Sequence, residues 1–159
     1  MGLFNRHRKF TLGAPVQGRL VPLKSVKHAV YASNQYGVGF AVEPDCDQVV
    51  SPIAGTIVSY FPTKHAVGIQ ADKLEVLVHM GIDTVELNGN PFETLVKVGD
   101  HVNVNTPLSR MDLAQIHQAG KAATTMVVVV NAGEHVKSLD VPDSGTVTAG
   151  ETVGQVVEV

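Results

Sequence analysis

At 159 residues with a formal net charge of −3, the chain has the length of one domain that buries its own core without covalent staples. Aromatics make up only 5% with no Trp, while Val, Gly and Thr are abundant, so the core is built from β-branched aliphatics, as in a sheet protein. The mild charge, without a basic patch or aromatic ladder, excludes nucleic-acid binding, and a single cysteine, Cys46, excludes an internal disulfide and fits a reducing cytosol. Cys46 stands between Asp45 and Asp47, neighbours that do not activate a thiol, and is read as incidental.

The first ten residues, M-G-L-F-N-R-H-R-K-F, are too short and too polar for a signal peptide or membrane span. Residues 1–10 are read as a flexible tail and 11–159 as the single domain. Leu3, Phe4, His7 and Phe10 share one helical face, which gives the tail a secondary reading as a weak contact with anionic lipid. Gly2 is not a myristoylation acceptor, because Arg6 stands where Ser or Thr is wanted.

Turn residues then recur at short intervals: G-A-P at 13–15, G-V-G at 37–39, S-P-I-A-G at 51–55, N-G-N-P at 88–91, G-D at 99–100, D-S-G at 143–145 and A-G-E at 149–151. The β-rich runs between them predict an all-β antiparallel sandwich or barrel. A14-P-V-Q-G-R-L-V, S51-P-I-A-G-T-I-V and V141-P-D-S-G-T-V-T echo one another, as do V98-G-D-H-V-N-V and A149-G-E-T-V-G-Q-V. The echoes predict a duplicated β-motif wrapped on itself. Helix is confined to a turn at 91–96 and to 112–120, where Asp112 is the N-cap candidate and Gly120 the stop.

Candidate chemistry lies in the middle of the chain. Leu74, Val76, Val78, Met80 and Ile82 alternate with Glu75, Leu77, His79, Gly81 and Asp83, the pattern of a strand with one buried face. His79 falls on the other face, and Gly81 beside it is expected to leave the ring open to a large incoming group. His65, in Y60-F-P-T-K-H-A-V-G-I, precedes it by fourteen positions, the spacing of two imidazoles brought together by adjacent antiparallel strands. Thr63 points the same way as His65 in an extended chain and is placed to hold its Nδ1 or a bound oxyanion. A neutral imidazole is a competent nucleophile near pH 7, and a second one is a polarisable donor. His28, His101, His117 and His135 have no neighbours that argue for chemistry.

V78-H-M-G-I-D-T-V-E-L-N-G closely resembles the phosphorylation-site segment of the glucose-type IIA proteins of the bacterial phosphoenolpyruvate-dependent sugar phosphotransferase system. T63-K-H-A resembles the family's T-x-H-A around a second histidine, S51-P-I-A-G its [AS]-P-x-x-G turn and V98-G-D-H-V its G-x-x-V segment, colinearly from about Leu12 to Val157. The resemblance implies an antiparallel β-sandwich of the duplicated hybrid motif type and a cytoplasmic phosphotransferase that needs no cofactor. Phospho-HPr is expected to donate to Nε2 of His79, and His79 to pass the group to a cysteine on a sugar-specific IIB domain. His65 then stabilises the phosphoryl group and Thr63 orients His65. Tyr31, Phe61, Leu77, Gly81, Asp83 and Val85 are the expected partner patch. A permease or kinase bound in the unphosphorylated state is a further expected partner, and His65 and His79 form a site for a zinc ion shared with such a partner. Where the family often carries acidic residues and a G-D-G turn, this chain has Lys27, His28, Ser33 and Val38, which weakens attraction to a basic face by about 0.5–1 kcal/mol per exposed pair.

Two other classes compete. H79-M-G-I-D83 fits the H-x-x-x-D motif of lysostaphin-like zinc peptidases, but the H-x-H pair of that class is nowhere in the sequence. A lipoyl- or biotinyl-type carrier, or a purely regulatory module, shares the turns but lacks the lysine in an apolar hairpin.

Overall fold

The alternation at 74–82 is a strand, and everything that positions the site is built around it. A computed structural model describes residues 7–27 and 37–159. Its strands are β1 (Lys9–Gly13), β2 (Gly18–Pro22), β3 (Val38–Pro44), β4 (Gln48–Val50), β5 (Gly55–Tyr60), β6 (Ala66–Ala71), β7 (Leu74–Ile82), β8 (Phe92–Thr94), β9 (His101–Val102), β10 (Pro107–Met111), β11 (Ala122–Val129), β12 (Val136–Asp140), β13 (Gly145–Val147) and β14 (Thr152–Glu158). All pairings are antiparallel. An eight-stranded sheet runs β13-β2-β3-β11-β7-β6-β5-β9, and two three-stranded sheets run β1-β14-β12 and β4-β10-β8. The sheets pack as a sandwich, so of the two all-β architectures the sequence allows, the closed barrel is not the one formed among the described residues.

The core between the sheets holds Leu12, Phe40, Ile53, Ile57, Ile69, Leu74, Met80 and Leu108, all at most 2% exposed. All but Ile53, which lies in the turn before β5, come from the strands, and each such side chain contributes about 1.5–3 kcal/mol on burial. Gly18, Gly55 and Gly145 each open a strand at the end of one Pro-x-x-Gly copy. The first two copies bond reciprocally: Gly13 N–H donates to the Pro52 carbonyl at 2.8 Å and Val50 N–H to the Pro15 carbonyl at 2.7 Å. The echo in the sequence is thus a repeated turn-to-strand unit whose copies lean on each other.

Helix is scarce, as composition implies. Helix α1 (Leu113–Gln118) is capped by the Asp112 carboxylate, which accepts from Gln115 N–H at 3.0 Å, and Gly120, with φ +76°, follows its end. A four-residue helix α2 (Ala132–His135) and 3-10 turns at Leu23–Ser25 and Thr84–Leu87 complete the described elements. The stretch read as a turn at 91–96 instead carries β8, because Phe92 reaches the core and residues 92–94 pair with β10. Pairing also begins early: β1 starts at Lys9, and Arg8 lies 3.6 Å from Asp72. Leu3 and Phe4, on which the lipid-contact reading rests, lie outside the described residues. None of the helices among them is long and apolar enough to cross a membrane.

Candidate functional site

Strands β6 and β7 pair with Ala66 opposite His79, which puts His65 opposite Met80. Met80 N–H donates to the His65 carbonyl at 2.7 Å, extending the ladder one residue past the end of β6. The fourteen-residue spacing is therefore a diagonal neighbour relation across two strands. The two imidazole centroids lie 5.0 Å apart, edge to face at 77°. Thr63 Oγ1 sits 2.6 Å from Nδ1 of His65, the contact anticipated from its position two residues upstream.

The two rings differ in environment. His65 is 9% exposed, and burial pushes its pKa below the ordinary value of 6.5, so it is neutral at physiological pH. His79 is half-buried, with Nδ1 inside the protein.

His79 lies in a row of side chains that crosses five strands: Val21, Ala41, Met126, His79 and Ala66. Ala41 and Met126 belong to a second, small apolar cluster with Leu23, Val26 and Val128, on the face of the sheet turned away from the main core. The floor of the site is therefore apolar. The turn before β6 supplies one wall: Lys64, at φ +57°, donates its N–H to the Phe61 carbonyl at 2.8 Å. That turn sends His65 inward and leaves Phe61 41% exposed, its ring 5.4 Å from that of His65. Val85, 48% exposed, stands on the 3-10 turn after β7; Leu77 is half-buried on the site face and Asp83 is exposed. Tyr31, like His28 and Ser33, lies outside the described residues.

Gly81 is a glycine for a reason that the alternation does not reveal. Its φ is +87°, and a Cβ there would lie 2.3 Å from Thr84 Cγ2 and 2.9 Å from Thr84 Oγ1. The glycine makes room for Thr84. Thr84 is the residue that sequence reasoning missed; its place in G-I-D-T, three positions after Gly81, was the available signal. Of the other described histidines, His101 lies beside Thr56 Oγ1 at 3.0 Å and His135 beside the Glu134 carboxylate at 3.7 Å. Among the described residues no three of His, Cys, Asp or Glu converge as a metal-ligand set.

Residues 10–135 match the family "phosphoenolpyruvate-dependent sugar phosphotransferase system, EIIA 1". The glucose-specific EIIA component of Staphylococcus aureus strain COL is 42% identical over 140 residues, covering 87% of this chain and 84% of that protein. Its counterpart in Staphylococcus epidermidis strain RP62A is 40% identical over 147 residues, covering 92% and 87%. Among solved structures, the glucose permease IIA from Mycoplasma capricolum superposes with a TM-score of 0.83 at 33% identity, covering 93% of this chain and 96% of that one. The peptidase and lipoyl-type readings fall away, and the chain belongs to the EIIA 1 family of the phosphoenolpyruvate-dependent sugar phosphotransferase system, the phosphoryl carriers of sugar uptake.

Proposed function

We propose that Nε2 of His79 accepts the phosphoryl group from phospho-HPr and hands it to a cysteine of a IIB domain, while His65 stabilises the group in transit. The family as a whole exchanges with HPr and with a IIB or permease component. The observation that carries the assignment is the pair of imidazoles 5.0 Å apart with Thr63 Oγ1 on Nδ1 of His65. Phosphoryl transfer asks a protein for positioning and for stabilisation of charge on the equatorial oxygens. As the bond from phosphorus to the donor nitrogen of HPr breaks, the Nε2 lone pair of His79 forms the new bond. In the second step that bond breaks as the IIB sulfur takes the group. Neutral His65, with Thr63 O–H donating to Nδ1, carries its proton on Nε2 and donates it to a phosphoryl oxygen.

Phe61, Leu77 and Val85 form the apolar docking patch, with Asp83 at its edge; Gly81, expected among them, is buried and drops out. A phosphoryl group adds close to two negative charges at its centre, and burying these without partners costs several kcal/mol. A permease or kinase with an apolar or acidic face therefore binds the unphosphorylated form and is expelled from the phosphorylated one. That complex is also where the two histidines and a partner carboxylate would share zinc; the relay itself needs no cofactor. The setting is cytoplasmic, and glucose, the sugar in the relatives' names, is the first substrate to try.

Incubation with labelled phosphoenolpyruvate, enzyme I and HPr tests the assignment. His79→Gln should remain folded and take up no label. His65→Gln should accept label but pass it to IIB roughly a hundredfold more slowly, the cost of one preorganised donor at about 3 kcal/mol. Stoichiometric labelling of His79→Gln overturns the assignment.

A further inference from the structure

Thr84 is tied by the backbone to both imidazole-bearing residues. Its side chain is fully buried, and its hydroxyl donates to the Met80 carbonyl, in a short hydrogen bond four residues back. The other side of Met80 is held as well, since its N–H donates to the His65 carbonyl. Both peptide units of the residue after His79 are thereby fixed, one to Thr84 and one to the residue that carries the second ring. At His65, Thr63 Oγ1 in turn holds Nδ1. The bonds run Thr84 to Met80 to His65 to Thr63 without a gap.

The local backbone explains why a lock is needed here. Strand β7 loses its regular register opposite β11 between Met80, which faces Thr125, and Ile82, which faces Ala122, so one extra β11 residue crowds Gly81. The chain then turns through positive φ at Gly81 and again at Asp83, at +60°. Such a turn, just past the acceptor histidine, is free to shift unless something closes it. Thr84 closes it with both arms of its side chain: the hydroxyl on Met80, the methyl in the space that a side chain at Gly81 would fill.

We propose that Thr84 is a positioning residue for phosphoryl transfer, seated in the gap at Gly81 and setting the His79 ring against His65 through the Met80 backbone. This rests on the reading of His79 as acceptor. The hydroxyl carries the function, and the methyl explains the glycine. A displacement of about 1 Å at a reacting group is enough for a hundredfold loss of rate. Thr84→Val, which keeps the shape and removes the donor, should therefore slow transfer in both directions by about tenfold to a hundredfold, while label still ends on His79. Thr84→Ser keeps the donor and should stay within about threefold of wild type.

The experiment measures rapid-quench transfer from phospho-HPr and to IIB for the full chain and for Thr84→Val, Thr84→Ser, Gly81→Ala and the double variant Gly81→Ala with Thr84→Ser. Folding is checked by thermal melting, and the His79 and His65 ring resonances are followed by ¹⁵N NMR. Gly81→Ala should be slow, and the double variant should recover part of the rate, because removing Cγ2 deletes the 2.3 Å clash. Slow Thr84→Val, near-normal Thr84→Ser and moved ring resonances support the lock. Wild-type rates in folded Thr84→Val overturn it, as do equal losses in Val and Ser variants that follow stability alone. If label in these variants lies on a residue other than His79, the acceptor assignment itself fails, which is a separate result.

Discussion

Thr63→Val removes the hydroxyl 2.6 Å from Nδ1 of His65 and leaves a side chain of nearly the same shape. Nδ1 belongs to a buried ring, so its lost partner is not fully replaced by water. A neutral hydrogen bond contributes about 0.5–1.5 kcal/mol net, and a buried group left unsatisfied costs about 1–3 kcal/mol. In the proposed mechanism Thr63 O–H is the donor of that bond, which selects the tautomer with the proton on Nε2, where the phosphoryl group needs it. Without it the tautomers compete, and the transition state bears the cost. A loss of about 1–2 kcal/mol corresponds to roughly fivefold to thirtyfold slower transfer to IIB, less than the effect of deleting the His65 ring. The assay is rapid-quench transfer from purified phosphorylated protein to IIB, with ¹⁵N NMR of the His65 ring reporting the tautomer. Thr63→Ser should retain at least a third of the rate. Unchanged transfer in Thr63→Val, with the His65 tautomer also unchanged, would refute the orienting role.

Three other outcomes are expected. Because burial lowers the His65 pKa below 6.5, the unfolded chain protonates first as pH falls, so His65 leaves stability untouched above 6.5 and erodes it below, until the pH has passed the folded pKa. Denaturant midpoints across pH 5–8 should show a decline in wild type that is shallower in His65→Gln; parallel curves would contradict this. Val85→Asp, at an exposed patch position, should slow exchange with HPr and IIB about tenfold at unchanged melting temperature, measured as kcat/KM. Asp112→Ala should lose about 1 kcal/mol of stability by removing the cap of α1, read by urea unfolding, with phosphoryl transfer unaffected.

What the sequence made legible followed from short-range rules. Period-two alternation placed β7 and the face on which His79 stands, because a strand that is buried on one side has no other register. The histidine spacing worked because β6 and β7 are joined by a tight hairpin, so distance along the chain maps directly onto distance across the sheet. The cap at Asp112 and the Pro-x-x-Gly strand starts were equally local. The role of Gly81 was hidden because it depends on a β11 bulge some forty residues away and on the rotamer of Thr84, neither of which leaves a periodic trace. Strand β8 was missed for a similar reason: N-G-N-P reads as a turn, and only pairing with β10 draws residues 92–94 into a sheet. Division into one wide sheet and two narrow ones is likewise a long-range outcome.

His79 stands on the fifth strand of eight, counted from the β13 edge, with paired neighbours on both sides. Such a residue has no tether to swing on. With His79 as acceptor, the phosphoryl group stays where it was received until another molecule comes to collect it, and donor and recipient must stand on the same ground in turn. They are therefore mutually exclusive visitors, and an excess of either one obstructs the other. Throughput at high partner concentration is then governed by how fast each visitor leaves, so tighter docking on one side slows the relay as a whole.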